Sequence, residues 1–305
     1  MSLDFKSDRF KNLVNQCAEI LENWYSKGLR NTKIYNSHSP AYINALFDEP
    51  LPHASTPPED LLKLIENEVF NTSNFNPSPN YYGYITGGGN QAAILAELLR
   101  NGLNQNNLKW HSAPANSEIE KIVIKWICQF LGYPESAGGV LVSGGSVGNF
   151  LQLAVMRKAK CPIDVANDGM YNAPKMTIYV SKEGHSSIDK AVDMLGFGKN
   201  NIRKIATNSD FQIDNSALIA TIESDLAAGY LPVCVIGMAG STNTGSVDNL
   251  DILADIAQKY NLWYIVDGAY GLPAAHLKST KSLFRGFDRA DAILINPHKW
   301  FFVPF

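Results

Sequence analysis

Between residues 140 and 295, short apolar, β-rich runs alternate with helix-like segments, and this rhythm leaves few architectures open to the chain. The runs fall at 140–142, 176–180, 202–205, 233–238, 263–266 and 292–295, and helical patterns lie between most of them, at about 147–159, 186–194, 214–228 and 249–260. Strands alternating with helices predict βαβ units, hence an α/β fold with a mostly parallel sheet flanked by helices. In such a sheet ligands sit beyond the carboxyl ends of the strands, so the residues just after each run are the ones to inspect.

The rest of the sequence narrows the classes of function. Lys and Arg total 26 against 29 Asp and Glu, a net charge of −3, which leaves no surplus to hold a polyanion, so no nucleic-acid partner is expected. No apolar run approaches the length of a membrane span, and charges interrupt the first ten residues, so neither a membrane partner nor a secretory signal is expected. Cys17, Cys128, Cys161 and Cys234 form no C-x-x-C, and no Cys/His group has zinc spacing. Reduced thiols, no metal and a cytoplasmic location are therefore expected.

Ahead of the alternating region, residues 4–28 read as an amphipathic helix. Phe10, Leu13, Val14, Cys17, Ile20, Leu21 and Trp24 fall on one stripe, with Gly28 as a stop. The stripe can pack on its own core or on a second subunit. Residues 36–58 read as an irregular connection, 59–70 as helix and 71–89 as loop, with further helical patterns at about 90–105 and 117–131.

Five strand ends carry chemistry. The run at 140–142 leads into Ser143-Gly144-Gly145-Ser146-Val147-Gly148-Asn149 and then a helix, the usual way to present converging N–H groups to a phosphate; it is neither a Walker A loop nor G-x-G-x-x-G. The next end places His185 just before a helix. Gly240-Ser241-Thr242-Asn243-Thr244-Gly245 lets a backbone approach a flat ligand, and Asp267 ends a strongly apolar strand, where a carboxylate is costly unless paired. Asn296-Pro297-His298-Lys299-Trp300 sets a lysine among aromatics, where desolvation favours a nucleophilic amine. Singly, each has a plain structural reading: a glycine turn, a helix cap, a polar loop, a turn-capping Asp, a lysine reaching solvent. Together they supply what pyridoxal phosphate needs: a lysine for a Schiff base, an acid for the pyridine nitrogen and a helix N-terminus for the phosphate.

With Asn296-Pro297-His298-Lys299-Trp300 preceded one strand–helix unit earlier by Asp267-Gly268-Ala269-Tyr270, the chain resembles the group II pyridoxal-phosphate-dependent amino-acid decarboxylases, which include aromatic-L-amino-acid, histidine and glutamate decarboxylases. The resemblance runs from about residue 8 to the end and looks most like the aromatic and histidine branch. It implies a fold type I, aminotransferase-like large domain at 76–305, an N-terminal helical arm and linker at 1–75, and a family C-terminal part, including a mobile catalytic loop and a small domain, that this sequence lacks.

By the same resemblance Lys299 matches the lysine that forms the Schiff base, Asp267 the partner of the pyridine nitrogen, His185 the histidine stacked on the ring and Ala269 the small residue on the opposite face. Gly145, Ser146 and His298 match phosphate neighbours, and Thr242 a threonine near the ring. Tyr84, Ile85 and Trp110 match substrate-pocket positions, although the aromatic branch's Tyr-Phe-Pro-Thr reads Tyr84-Ile85-Thr86-Gly87 here, a pocket of different shape. The implied activity is decarboxylation of an L-amino acid, aromatic ones leading, by a cytoplasmic homodimer whose arm packs on the partner. Another pyridoxal-phosphate reaction (aldehyde synthase, lyase or desulfurase-like) and a truncated, inactive member stay open as alternatives.

Overall fold

A computed structural model describes residues 4–31 and 33–305; the reading of the extreme N-terminus falls partly outside the described residues. The chain divides into two compact units, Met1–Asn90 with Pro304–Phe305, and Gln91–Val303.

In the first unit, α1 (Ser7–Asn31) is the expected amphipathic helix, shifted three residues along. It runs through Gly28, since one glycine costs a helix only about 1 kcal/mol. Its stripe covers its own unit: Leu13 is buried, and Trp24 meets Phe70 and the buried Phe75 edge-on at 5.0 and 4.7 Å. Phe10 and Cys17 stay exposed. The 36–58 stretch is not all irregular, for it holds α2 (Pro40–Phe47). The Ser39 hydroxyl accepts the Tyr42 N–H and Pro40 fills the first helical position, a start signal that outweighs the stretch's loop-like composition. The predicted 59–70 helix is α3 (Pro58–Leu64), continued by a π-helical segment at Ile65–Phe70.

The second unit opens with α4 (Gln91–Leu103) and α5 (Pro114–Leu131). It then alternates: α6 (Gly145–Lys160), α7 (Val165–Asp168), β1 (Met176–Ser181), α8 (Ser186–Met194), β2 (Ile202–Ile205), α9 (Asn215–Ala227), β3 (Leu231–Met238), α10 (Leu250–Lys259), β4 (Trp263–Asp267) and β5 (Ala292–Leu294). The five strands are all parallel, in the order β2-β1-β3-β4-β5. Side chains alternate across the pleat into two cores. Tyr179, Val235, Tyr264 and Val266 pack with α9 and α10, whereas Ile178, Val180, Cys234, Ile236 and Ile265 pack with α6 and α8. Covering on both faces is why these strands read as near-continuous apolar runs.

The sixth predicted run, 140–142, is not a strand. Val140 and Leu141 are exposed, and the Leu141 N–H is taken by the Glu120 carboxylate at 2.7 Å, so no neighbouring backbone draws the run into the sheet.

Register aligns the functional ends: Met238 on β3 lies opposite Asp267 on β4, and Asp267 opposite Leu294 on β5. One buried carboxylate secures this end of the sheet. Asp248, 1% exposed, accepts the N–H groups of Met238 and Ile213, each at 2.7 Å. Burial pushes its carboxyl up to about 6 against the pull of those two donors. The folded carboxyl thus keeps its proton to higher pH than the unfolded one, so stability on its account falls as pH rises from about 4 to about 6 and is level above that. Asp248→Asn is expected to remove this slope. It should also cost about 2 kcal/mol at neutral pH, because an amide oxygen accepts only one of the two N–H groups. Urea midpoints of the two proteins on either side of that pH window check both statements.

Candidate active site

Asp267 closes β4 with 4% of its surface exposed. Its Oδ2 accepts a hydrogen from Asn149 Nδ2 at 3.2 Å, and its Oδ1 accepts the Ala269 N–H at 3.2 Å. A carboxylate at the end of an apolar strand needs such donors, because unpaired burial of a charge is costly.

Lys299 stands on the turn after β5. The turn is closed by the Lys299 N–H donating to Asn296 O at 3.0 Å, and it is tied to the β4 end by the Asn296 N–H donating to Ala269 O at 3.3 Å. The half-buried amine has a pKa below the usual lysine range because it is desolvated, with the attraction of Asp267 pulling the other way. His298 beside it is also lowered, by burial and by the Lys299 charge. Trp300 packs edge-on against Tyr270 at 4.5 Å.

The glycine loop reaches this turn through a close approach. A Cβ on Gly145 would lie 2.7 Å from Asn296 Nδ2, so only glycine lets the start of α6 lie against the buried Asn296 side chain. The cap residue Gly144 offers no side-chain acceptor, which leaves the first N–H groups of this 16-residue helix without a side-chain cap. Ser146 is exposed at the same helix start.

His185 caps α8. Its Nδ1 accepts the Ser187 N–H at 3.2 Å and lies 2.7 Å from Ser187 Oγ, which in turn accepts from Asn149 Nδ2 at 3.0 Å. Thr242 is exposed on the loop after β3. That loop crosses the one after β4 at Gly240, whose φ is +95° and whose Cβ would sit 2.9 Å from Gly271 Cα.

The fold therefore gathers Lys299, Asp267, Ala269 and Gly145 through direct contacts or one intervening residue, and His185 through two, Ser187 and Asn149, with Thr242 on the adjoining loop. Trp110 stands apart from these contacts: it is 53% exposed, and its indole N–H donates to Glu118 at 2.8 Å. Tyr84 and Ile85 belong to the first unit, where both take left-handed backbone conformations, φ 56° and 57°. Asn149, Ser187 and Asn296 escaped assignment in the sequence. The signal for them was the polar side chain itself, at helix or turn positions that the flanking apolar residues mark as inward-facing.

The residues fit pyridoxal phosphate on structural grounds: a buried carboxylate, a desolvated amine that feels its charge, and a helix start without a side-chain cap where Gly145 leaves no room for a Cβ. Among the described residues no group of three or more His, Cys, Asp or Glu is placed to hold a metal ion, and no helix is long and apolar enough to cross a membrane.

Comparisons with known proteins agree with this fold. Aromatic-L-amino-acid decarboxylase of Bacillus atrophaeus is 31% identical over 304 residues, covering 100% of this chain and 62% of the relative. The crystal structure of Catharanthus roseus tryptophan decarboxylase in complex with L-tryptophan superposes with a TM-score of 0.90 at 26% identity, covering 100% of this chain and 66% of that one. Rhodiola rosea 4-hydroxyphenylacetaldehyde synthase gives a TM-score of 0.89 at 26% identity, covering 98% and 65%. The chain spans about 60% of the length of the curated relatives it matches. With the pyridoxal-dependent decarboxylase conserved domain matched from residue 40 to residue 305, over the whole parallel sheet and the lysine turn, this chain belongs to that family.

Proposed function

We propose that the protein decarboxylates an L-amino acid to the amine and CO2 with pyridoxal phosphate held at Lys299, an aromatic amino acid being the leading substrate class. The observation that carries this reading is the desolvated Lys299 amine, on the turn after β5, held within the attraction of the buried Asp267 carboxylate that ends the neighbouring strand β4. When bound, the cofactor supplies an electron sink for the pair released from the Cα–carboxylate bond. The chain's own residues hold and orient it. Lys299, with a lowered pKa, offers a larger neutral fraction for bonding the aldehyde. Asp267 keeps a proton on the pyridine nitrogen. His185, Ala269 and Thr242 would hold the ring. The start of α6 at Gly145 and Ser146, with His298, takes the phosphate. By the resemblance, Tyr84, Ile85 and Trp110 are the candidates for substrate recognition, and residues 1–75 for an arm ahead of a cofactor-binding domain at 76–305.

The likeness to an aldehyde synthase at the same identity as to a tryptophan decarboxylase keeps aldehyde formation as a second reading. The test is to bind pyridoxal phosphate, reduce with borohydride and locate the label by peptide mass, then to score a panel of amino acids for products. Label on Lys299 with amine and CO2 is the expected result. Aldehyde with ammonia selects the second reading, and absence of label refutes the cofactor site.

A cytoplasmic homodimer completes the proposal. Four unpaired cysteines suit a reducing compartment. Leu95, Leu98, Leu99 and Leu103 leave one apolar face of α4 exposed, and Ile122 and Trp126 are exposed on α5, surface that a second subunit would cover. Leu99→Glu is expected to convert dimer to monomer in sedimentation equilibrium; a monomeric wild type, or a variant that stays dimeric, counts against that interface.

A further inference from the structure

Asn149 and Ser187 are each 3% exposed, and both make side-chain hydrogen bonds at the site without reaching its open side. Asn149 Nδ2 carries two hydrogens and has two acceptors, Asp267 Oδ2 at 3.2 Å and Ser187 Oγ at 3.0 Å. Turning the amide over would set its oxygen against the Asp267 carboxylate, so the network itself fixes its orientation. Ser187 Oγ, having accepted from Asn149, has its one hydrogen left for His185 Nδ1 at 2.7 Å. The Ser187 backbone N–H also points at that nitrogen, at 3.2 Å. A backbone N–H only donates, so Nδ1 is an acceptor and the neutral ring carries its proton on Nε2.

The polarity of the whole chain follows: Asn149 gives one hydrogen to Asp267 and one to Ser187, and Ser187 gives its own to His185. Three elements meet in it, the second turn of α6, the start of α8 with its cap, and the end of β4. The two bonds that Asn149 donates are buried, where water does not compete with them.

We propose that Asn149 and Ser187 are positioning residues that couple Asp267 to His185, setting the carboxylate toward the pyridine nitrogen and holding the His185 ring in its Nε2-protonated form. The ligand they serve rests on the reading above; the hydrogen-bond chain stands on its own geometry. Through it, the group beneath the ring nitrogen and the group on the ring face are oriented by one amide.

The experiment compares wild type with Asn149→Asp and Ser187→Ala by two readouts. One is the 15N spectrum of His185 in the cofactor-free protein, taken above the imidazole titration range. The other is pyridoxal phosphate affinity, from titration of the visible band. The Asn149→Asp side chain keeps the volume but cannot donate to Asp267, and it adds a like charge. It is expected to weaken cofactor binding about ten- to hundredfold. Ser187→Ala is expected to shift the His185 Nδ1 resonance toward that of an unbonded ring nitrogen and to weaken binding about tenfold. Wild-type cofactor labelled at Lys299 together with an Asn149→Asp affinity within about twofold of wild type would overturn the proposal. A proton found on His185 Nδ1 would do the same. Should Asn149→Asp fail to melt cooperatively, Ser187→Ala decides by the same two readouts, unchanged values of both overturning it. Loss of the Lys299 label in wild type is a different failure, that of the cofactor reading, and the cofactor-free spectrum tells the two apart.

Discussion

Lys299→Ala is expected to abolish the borohydride-fixed label and to lower turnover of any accepted amino acid by at least about a thousandfold. On the reading proposed above this amine would hold the cofactor aldehyde, a role that needs a nucleophilic nitrogen and that alanine cannot fill. The fold should survive. The amine's pKa is lowered by burial, which means the charged form is disfavoured in the folded protein, and removing it relieves that cost. The melting temperature of the cofactor-free variant is therefore expected to equal or exceed that of wild type. Absorbance of the reduced adduct, peptide mass and CO2 release measure the three parts. A label that persists on another lysine, or turnover near the wild-type rate, would sink the assignment of Lys299.

The second large effect is on stability and arises at the other end of the strands. Asp225 on α9 is 6% exposed and takes the Arg203 guanidinium in a paired grip, with N–O distances of 2.7 to 3.1 Å. It also accepts the Tyr179 hydroxyl at 2.8 Å, and that hydroxyl lies 2.8 Å from the buried Thr177 hydroxyl. Arg203 lies over the Tyr230 ring at 4.9 Å. Burial and the Asp225 charge hold Tyr179 protonated well above the usual phenol range. Asp225→Ala leaves an arginine and a tyrosine without their acceptor inside the sheet–helix layer. The expected loss is about 3–5 kcal/mol, since breaking one side of a buried pair strands the other charge. Chemical denaturation of the cofactor-free protein measures it. A loss under about 1 kcal/mol would mean that water replaces the carboxylate, and that the pair is no more than a surface one.

These two predictions draw on different parts of what the sequence discloses. Lys299, Asp267 and His185 could be picked out because each stands at the boundary between an apolar run and a polar turn, a feature visible in a window of a few residues. The Asp225 network could not, because Thr177, Tyr179, Arg203 and Asp225 come from two strands and a helix that become neighbours only when the sheet forms. The same limit explains the errors. The 140–142 run has strand-like residues, but a strand is defined by a partner, and the Leu141 N–H finds Glu120 instead. The helix at Pro40–Phe47 was hidden by composition, although Ser39 and Pro40 announced it.

By itself, the sequence determined the α/β class, the order of the five strands and the helices between them in the second unit, and the strand-end residues on which the proposed chemistry rests. All of these follow from periodicity and local capping, which act over a few residues. Only the tertiary structure decided which donors stabilise Asp267, why Gly145 admits no side chain, and how His185 is held. The Asn149–Asp267 bond joins residues 118 positions apart, and Asn296, on the turn after β5, meets Gly145 at the start of α6. A buried charge must find its hydrogen-bond partners somewhere, but no local pattern names them; packing β4 and β5 against the first turn of α6 does.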